Sequence, residues 1–146
     1  MTLKLDVDTA NASQIGQTPK GRRVVVPIVG GTFSGERLNG TVDSVGYDWP
    51  CFRADGVMEI DVRLVLRSDD NAVIYFNYHG RLVASADVHG RMASGEKVDP
   101  SDYSLTTVAA FETGAEQYQW LNNVIAIGVG SQSGYQPEYT IYQVGR

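Results

Sequence analysis

Cysteine, histidine and long apolar runs are all scarce in this sequence. Cys51 is the only cysteine, which excludes an internal disulfide framework and favours a reducing compartment. The first residues contain no basic stretch followed by a long apolar one, and no apolar run reaches the length of a membrane-spanning helix. We therefore expect a cytoplasmic protein that has no membrane partner.

Positive charge is also in short supply. The chain has 12 Lys and Arg against 17 Asp and Glu, which gives a net charge of -5. Proteins that bind nucleic acid through its phosphates usually carry a basic face. We therefore expect no nucleic-acid partner.

Motifs that hold metals or nucleotides are missing as well. His79 and His89 lie ten residues apart without a cysteine partner or a His-Glu-x-x-His arrangement. The glycine-rich stretch 30–35 lacks the lysine and the following helix of a phosphate loop, and the stretch 130–134 lacks the context of a nucleophile elbow. The sequence predicts an activity that uses no metal and no other cofactor.

The chain is instead rich in short alternating runs separated by turn residues. Its 146 residues, 16 of them glycine, are typical of a single all-β domain spanning 1–146. Nine strands are predicted: Leu3–Val7, Arg22–Ile28, Glu36–Asp43, Val57–Arg67, Val73–Tyr78, Leu82–Val88, Leu105–Phe111, Val124–Val129 and Tyr139–Val144.

Four connections can be predicted between these strands. Ser68–Asn71 is typical of a tight hairpin turn, and His79-Gly80 is expected to form the next one. Residues 8–20 are expected to form a mobile loop. Thr113–Tyr118 is the one short helical turn expected, with Thr113 as N-cap and Glu116 as its capping-box partner.

Consecutive antiparallel strands with short turns must close or leave exposed edges. We therefore predict an all-β fold, a closed or nearly closed antiparallel β-barrel of about eight to nine strands. A barrel of that size is either filled by side chains or holds one small ligand.

The strand Val57–Arg67 has the clearest alternation of the chain. Met58, Ile60 and Val62 share one face, while Glu59, Asp61 and Arg63 share the other. The charged face either meets solvent or lines a ligand pocket, where desolvation would be costly. The alternation alone leaves both orientations open.

A set of short motifs occurs in the order found in one known family. They are Gly21-Arg22, Val26–Ile28, Gly30–Gly35, Asp48-Trp49, Asp55-Gly56, Asp61–Arg63, Ile74-Tyr75, Phe111–Gly114 and Tyr118–Asn122. On these motifs the chain resembles domain of unknown function 3237, also described as uncharacterised protein family 0311. The likeness covers nearly the whole chain.

The resemblance implies a calycin-like or allene-oxide-cyclase-like barrel with a central pocket, often self-associated as a homodimer or higher homo-oligomer. It implies no settled reaction. Since Asp61 and Arg63 belong to the likeness, it also favours a pocket location for their face. The run Ser104–Ala110 departs from the family pattern, and Thr106 stands where relatives are expected to carry an arginine.

The turn around Asp48 is the first candidate site. Asp48 lies beside Trp49, with Arg53 close behind. An apolar wall next to a carboxyl raises its pKa toward the range that suits general acid or base catalysis. The alternative is that Asp48 caps a turn and Trp49 plugs one end of the barrel.

Neutral hydrogen-bonding side chains form the second candidate group. Tyr75 and Asn77 share one strand face and could polarise an enone or enol oxygen. Glu112, Trp120 and Asn122 follow near the short helical turn. The alternative is that these side chains serve packing and turn formation.

These candidates lead to one enzymatic hypothesis. We expect a small cofactor-free barrel enzyme, a lyase, isomerase or cyclase, that uses acid-base chemistry on a small apolar or aromatic metabolite. The expected catalytic residues are Asp48, Asp61, Arg63 and Tyr75, and the expected substrate-binding residues are Trp49, Arg53, Glu59, Asn77, Glu112, Trp120 and Asn122. The alternatives are a non-catalytic carrier or sensor of a small molecule, and a structural oligomer with a solid barrel.

Overall fold

The computed structural model describes residues 1–145 as one antiparallel β-sheet with short helical pieces. Its strands are β1 (Thr2–Val7), β2 (Ser13–Thr18), β3 (Gly21–Ser34), β4 (Gly40–Val42), β5 (Gly46–Asp48), β6 (Cys51–Phe52), β7 (Met58–Ser68), β8 (Val73–Ala84), β9 (Tyr103–Glu112), β10 (Ile125–Ser133) and β11 (Gln136–Val144). Helix α1 spans Ala86–Ala93, and 3₁₀ turns span Thr9–Asn11, Pro100–Asp102 and Glu116–Asn123. None of the described helices has the length and apolarity needed to cross a membrane.

The sheet closes on itself, which confirms the predicted barrel. Strands β7 to β11 pair in sequence, β11 pairs with β1, and β1 pairs with β3. The short strands β4, β5 and β6 together fill the position between β3 and β7. The ring therefore has eight positions, and β2 is an additional strand on the edge of β3.

Helix α1 occupies part of a predicted strand. The predicted turn at His79-Gly80 is wrong, since β8 runs unbroken past it, and the predicted strand Leu82–Val88 ends at Ala84. Ser85 then caps α1, because its Oγ accepts a hydrogen bond from the backbone N–H of Val88 at 3.2 Å. Gly80 lies where β8 and β9 approach each other closely. A Cβ at this position would overlap the carbonyl oxygen of Thr106.

Three further boundaries differ from expectation. Residues 8–20 are not a loop, because they contain a 3₁₀ turn and β2. The strand predicted at Glu36–Asp43 shrinks to β4, since Asn39 and Gly35 form side-chain-to-backbone hydrogen bonds that make a turn. The helical turn predicted from Thr113 begins at Glu116, while the Thr113 hydroxyl accepts a hydrogen bond from the backbone N–H of Ala115.

The hairpin turn predicted between β7 and β8 is confirmed. Residues 69–72 connect the two strands, and Asn71 takes the left-handed conformation with φ 68°. The Ser68 hydroxyl accepts a hydrogen bond from the backbone N–H of Ala72 at 2.8 Å. Asparagine tolerates this conformation better than most residues, which fits the sequence-based reason for the turn.

The orientation of β7 is resolved by burial. Ile60, Val62, Leu64 and Leu66 are buried in the core, whereas Glu59 and Arg63 are exposed. Met58, Ile60 and Val62 line an internal cavity. The apolar face of the strand therefore looks into the barrel.

The barrel interior is filled at one end only. Near the β7–β8 turn, large side chains are almost completely buried and pack together: Phe33, Leu64, Leu66, Ile74 and Phe76. None of these five lines the internal cavity. We call this half the packed end, and the cavity lies in the other half.

One outer surface of the barrel is strongly apolar. Val108, Ile125, Val129, Tyr142 and Val144 are each about half exposed, on the outward faces of β9, β10 and β11. Ile125 lies opposite Val144 in the strand pairing, and both Val108 and Tyr142 lie opposite Ile127. These side chains therefore adjoin one another and form what we call the outer apolar face.

Substituting Gly80 with alanine tests the tight packing of β8 against β9. The added Cβ would meet backbone of Thr106 and the side chain of Thr107, so we expect a loss of about 2–4 kcal/mol in the free energy of unfolding, measured by urea denaturation. Gly90→Ala is the control, since its Cβ meets nothing within 4 Å and alanine favours a helix. Equal stability of both variants would contradict the close approach.

Candidate functional site

An internal cavity of about 550 Å³ occupies the half of the barrel away from the packed end. Most of its wall is aliphatic, with side chains from β1, β3, β7, β8 and β9. Its polar and charged wall residues are Thr9, Gln14, Arg22, Asp48, Tyr78, His89, Gln132, Tyr135 and Tyr139. A cavity of this size and composition matches the sites that hold small organic molecules.

Among the residues that the structure describes, Asp48 is the only carboxylate on the wall of this cavity. It ends β5, which lies between β3 and β7, with Val26 and Val62 as its neighbours in the strand pairing. The alternation of the strand turns Tyr47 outward and Asp48 inward, and Trp49 is again exposed. The Trp49 backbone N–H donates to the Asp61 carbonyl at 2.9 Å and so holds the turn in place.

The apolar surroundings change the acidity of Asp48. Burial raises the pKa of its carboxyl from the ordinary 3.8 to about 7, and the nearby Asp61 carboxylate adds to the rise while backbone N–H groups of Asp61 and Trp49 oppose it. Its Oδ1 atom is buried and has no hydrogen-bond partner in the described residues. Asp48 can therefore exchange a proton near neutral pH.

Two buried tyrosines stand close to Asp48. The rings of Tyr78 and Tyr139 lie 5.1 Å apart between centroids, and both residues line the cavity. Burial raises the pKa of each hydroxyl above its ordinary value, and the negative charge of Asp48 raises it further. Both hydroxyls therefore stay protonated. Because they also interact with each other, the pair offers one free hydroxyl proton that can be donated to an oxygen in the cavity.

A glycine makes room for Tyr139. A Cβ on Gly130 would lie 2.7 Å from the Tyr139 ring and 2.6 Å from Leu105. Gly130 is also the residue opposite Tyr139 in the pairing of β10 and β11. The missing side chain on one strand thus allows the aromatic ring on the next.

A second region of the cavity wall consists of the Phe52 ring with two polar neighbours, Arg22 and His89. The Arg22 guanidinium carbon lies 4.2 Å from the centroid of the Phe52 ring, and the His89 ring meets the same ring edge-on at 6.2 Å. His89 belongs to α1, whose last residue accepts a hydrogen bond from the Tyr135 hydroxyl at 3.4 Å. Helix α1 and Tyr135 thus contribute one wall of the cavity.

The charged face of β7 lies outside the cavity, which corrects the expectation that it shares a pocket with Asp48. Asp61 approaches the His79 imidazole at 3.4 Å, with both side chains well exposed. Glu59 pairs with Arg53 at 3.2 Å on the surface, and Arg53 also pairs with Asp55. Arg63 is exposed. The reason is hydrophobic: the apolar face of β7 completes the core.

Tyr75, Asn77 and Glu112 also point away from the cavity. Tyr75, Glu112 and Asn122 border a separate groove on the outer surface, and Asn77 donates to the Ala110 carbonyl at 3.5 Å. Asn122 satisfies its amide on Thr113, accepting from its N–H at 2.7 Å and donating to its carbonyl at 3.0 Å. The cavity and this groove do not share a residue.

The two tryptophans contact surface partners. Trp49 stacks at an angle on Tyr47, with ring centroids 6.5 Å apart. Trp120 packs under the Arg37 guanidinium at 3.6 Å, a cation-π contact. Of the residues predicted from sequence, Asp48 is thus the one that lines the cavity.

Sequence reasoning missed Arg22, Tyr78, His89 and Tyr139. Tyr78 shares one face of β8 with Ile74 and Phe76, and Tyr75 lies on the other face. The inward position of Tyr78 could therefore have been predicted by placing the apolar face of β8 inside the barrel. His89 had no such signal, because it lies in α1, just past the predicted strand Leu82–Val88, where no helix was predicted. Tyr139 and Arg22 start or end predicted strands, where facing is hardest to assign.

Comparison with known proteins gives consistent relatives without an activity. The model of the family described as "Protein of unknown function (DUF3237)" matches residues 1–144. A UPF0311 protein of Clostridium acetobutylicum is 37% identical over 112 residues, which is 77% of this chain and 71% of the relative.

Solved structures reproduce the barrel. The crystal structure of a conserved protein of unknown function from Rhodopseudomonas palustris has a TM-score of 0.91 at 27% identity and covers 97% of this chain and 92% of that one. The crystal structure described as an enzyme from Penicillium herquei has a TM-score of 0.68 at 21% identity, with 97% and 91% covered. The second likeness shows the fold alone.

Among residues 1–145, no group of three or more His, Cys, Asp or Glu side chains is arranged to hold a metal ion.

The acidity of Asp48 has a consequence for stability. Because its folded pKa of about 7 exceeds the ordinary 3.8, its contribution to stability is complete below pH 4 and is lost as the pH rises toward 7. The loss is about 1.4 kcal/mol per unit of pKa difference. We expect the Asp48→Asn variant to lack this part of the pH dependence in urea denaturation, and to be more stable than the wild type at pH 8.

Direct titration is the companion measurement. Carbon-13 NMR of the Asp48 carboxyl should show a midpoint near pH 7. Asp55 serves as an internal reference, since the Arg53 guanidinium lowers the pKa of its carboxyl and its midpoint should therefore lie well below that of Asp48. A midpoint for Asp48 below pH 5 would contradict the effect of burial.

Proposed function

Because this chain belongs to the DUF3237 family, whose description assigns no activity, we propose a function from its own cavity: a cofactor-free enzyme that moves protons on a small apolar or aromatic metabolite. The reaction class is that of a lyase, isomerase or cyclase. One observation carries the proposal. A single carboxyl with its pKa raised to about 7 faces an otherwise largely apolar cavity, and two tyrosine hydroxyls lie near it.

The proposed reaction begins with a proton transfer to Asp48. The ionised carboxylate removes a proton from a carbon next to a carbonyl group, and the bonding electrons move onto the carbonyl oxygen to form an enolate. Tyr78 or Tyr139 donates a hydrogen bond to that oxygen, which stabilises the negative charge as it develops. In an isomerase, the protonated Asp48 returns the proton to another carbon as the carbonyl forms again. In a lyase, the enolate electrons form the carbonyl and a new C=C bond while a C–O bond at the next carbon breaks, and Asp48 gives its proton to the leaving oxygen, so that no co-reactant is required.

A buried carboxyl is expensive for a protein that only needs to bind an apolar molecule. Neutral residues such as Asn or Leu would fill the position of Asp48 without the desolvation that raises its pKa. Perturbed titratable groups facing a pocket are enriched at catalytic sites. The match of the pKa to neutral pH supports a role in proton transfer.

The second candidate function is a non-catalytic carrier or sensor, which the mostly aliphatic wall of the cavity favours. Native mass spectrometry of the purified protein separates the two. A ligand retained unchanged, together with no proton exchange on enolisable aryl ketones, would favour the carrier.

The enzymatic proposal is tested by hydrogen exchange on a probe. We expect the wild-type protein to catalyse deuterium uptake next to the carbonyl of 1-tetralone in D₂O, with a rate that rises through pH 7 as Asp48 ionises. Asp48→Asn should lower this rate at least about 100-fold, and Tyr78→Phe about 10- to 100-fold, without a lower thermal midpoint. Mass spectrometry measures the uptake.

The matched control removes a carboxylate next to the cavity wall but outside it. Glu138 precedes Tyr139 and, by the alternation of β11, points away from the cavity. Glu138→Gln should therefore keep the wild-type exchange rate. Undiminished exchange by Asp48→Asn would sink the assignment of Asp48.

We propose in addition that the outer apolar face binds a second copy of the chain. The five side chains that define the face carry no charge, and they lie on neighbouring strands, so two copies can place the same surface against each other around a twofold axis. The closed ring leaves no strand edge on this side for a partner to extend. The occupant that best fits an uncharged apolar surface is another such surface.

Sedimentation velocity tests the pairing. The wild-type chain should sediment as a dimer at micromolar concentration, and Val108→Asp should sediment as a monomer because the new charge would be buried. Val45→Asp is the control, since Val45 is 63% exposed in the turn before β5, away from this face. A monomeric wild type would contradict the proposal.

A further inference from the structure

Arg22 is a solvent-exposed cation at the wall of a largely apolar cavity, and it has no anionic partner among residues 1–145. Within the part of the chain that the structure describes, it is the only Lys or Arg that lines the cavity. The ion pairs and side-chain hydrogen bonds of the described residues include Arg53, Arg67 and Arg91, whereas Arg22 takes part in none of them. Its one described contact is the stacking on Phe52 at 4.2 Å.

The stacking holds the guanidinium in place without using its hydrogen-bond donors. A guanidinium over an aromatic ring keeps its N–H groups free at the edge of its plane, where they can bind a planar oxyanion. His89 contacts the same ring, and its Nε2 has no hydrogen-bond partner in the described residues. Two nitrogen-bearing side chains therefore flank one aromatic ring of the cavity wall.

The strand geometry fixes the distance between this region and Asp48. Arg22, Val24, Val26 and Ile28 alternate along β3 and all line the cavity. Val26 is the residue opposite Asp48, and Arg22 is the residue opposite Phe52. Four residues along a strand span about 13 Å, so the cation and the carboxyl lie at opposite ends of one continuous apolar wall.

We propose that the ligand of this cavity is an elongated aromatic or apolar molecule with an oxyanion at one end, a carboxylate or sulfonate, which binds Arg22. The rest of the molecule extends along Val24 and Val26 toward Asp48, Tyr78 and Tyr139. The proposal rests on the proposed function only in taking this cavity as the ligand site, and it holds for a carrier as well as for an enzyme.

Charge at the two ends gives the ligand one orientation. At the Asp48 end of the cavity, an oxyanion would be repelled by the negative charge of the carboxylate above neutral pH. At the Arg22 end it is attracted by a cation. A ligand bound in the opposite direction would therefore lose the attraction to Arg22 and be repelled by Asp48. A neutral molecule of the same shape has neither the attraction nor the repulsion, and so would bind more weakly and in both directions.

Two fluorescent probes that differ only in the anion test this inference. 8-Anilinonaphthalene-1-sulfonate carries a sulfonate, and N-phenyl-1-naphthylamine has the same ring system without it. We expect the wild-type protein to bind the sulfonate at least about tenfold more tightly, and Arg22→Gln to remove that preference while the affinity for the neutral probe stays the same. Arg22→Lys should keep part of it.

Three controls separate the cavity from the rest of the molecule. Arg63→Gln removes the same charge from the outside of β7, and Val108→Asp disrupts the outer apolar face, so neither should alter binding of the sulfonate. Raising the salt concentration should weaken binding of the sulfonate and leave the neutral probe unaffected. Equal wild-type affinity for both probes, unchanged sulfonate binding in Arg22→Gln, or loss of binding only in Val108→Asp would overturn the inference.

The outcome is independent of the proton-transfer assignment. Asp48→Asn should bind the sulfonate at least as tightly as the wild type, since the variant loses a negative charge from the cavity. If the variant binds the probe but no longer exchanges protons, the ligand class and the acid-base function both hold. If Arg22→Gln leaves sulfonate binding unchanged, the ligand class fails while the role of Asp48 is judged by exchange alone.

Discussion

The backbone hydrogen bonds between β1 and β3 close the ring on which the remaining structure depends. Without them the sheet would end in two exposed edges, and the inward faces of the strands would not surround a common interior. Closure is possible because β3 pairs with β1 along one edge and with β4, β5 and β6 along the other. Asp6 pairs with Gly30 and Val7 with Ile28, so β3 has one extra residue at this point. Such a bulge lets β3 bend near the end of its pairing with β1.

Closure creates one interior, and the distribution of side-chain volume divides it. Phe33, Phe76 and Leu66 fill the packed end, and the burial of these large side chains stabilises the fold. At the other end the inward side chains leave a cavity between them, although several of them, such as Ile60, Val62 and Leu82, also belong to the buried core. Both halves of the interior therefore bury apolar side chains, and the half with the cavity also carries a carboxyl whose burial costs stability.

The barrel was predictable from sequence because period-two alternation is clear in several long strands, above all β7, β8 and β9. The facing of β7 was not, since the alternation of Glu59, Asp61 and Arg63 with Met58, Ile60 and Val62 defines two faces but not which one is inside. Helix α1 was missed because its eight residues include Gly90 and only two buried apolar side chains, Val88 and Met92, which is too short for a helical period to stand out. Two residues of the site were therefore not predicted. The position of Tyr78 depends on which face of its strand is inside the barrel, and the position of His89 depends on helix α1.

The sequence predicts Asp48 as a site residue because an apolar side chain next to a carboxyl raises its pKa, and Trp49 is its neighbour in the turn. The structure confirms the apolar surroundings but not the contribution of the indole. Trp49 faces outward against Tyr47, so the wall that raises the pKa of Asp48 is formed by other residues of the barrel interior. What matters is the alternation of β5, which sends one polar side chain inward among apolar neighbours. A strand of three residues can therefore deliver a titratable group into a cavity, and the two longer strands on either side hold it there.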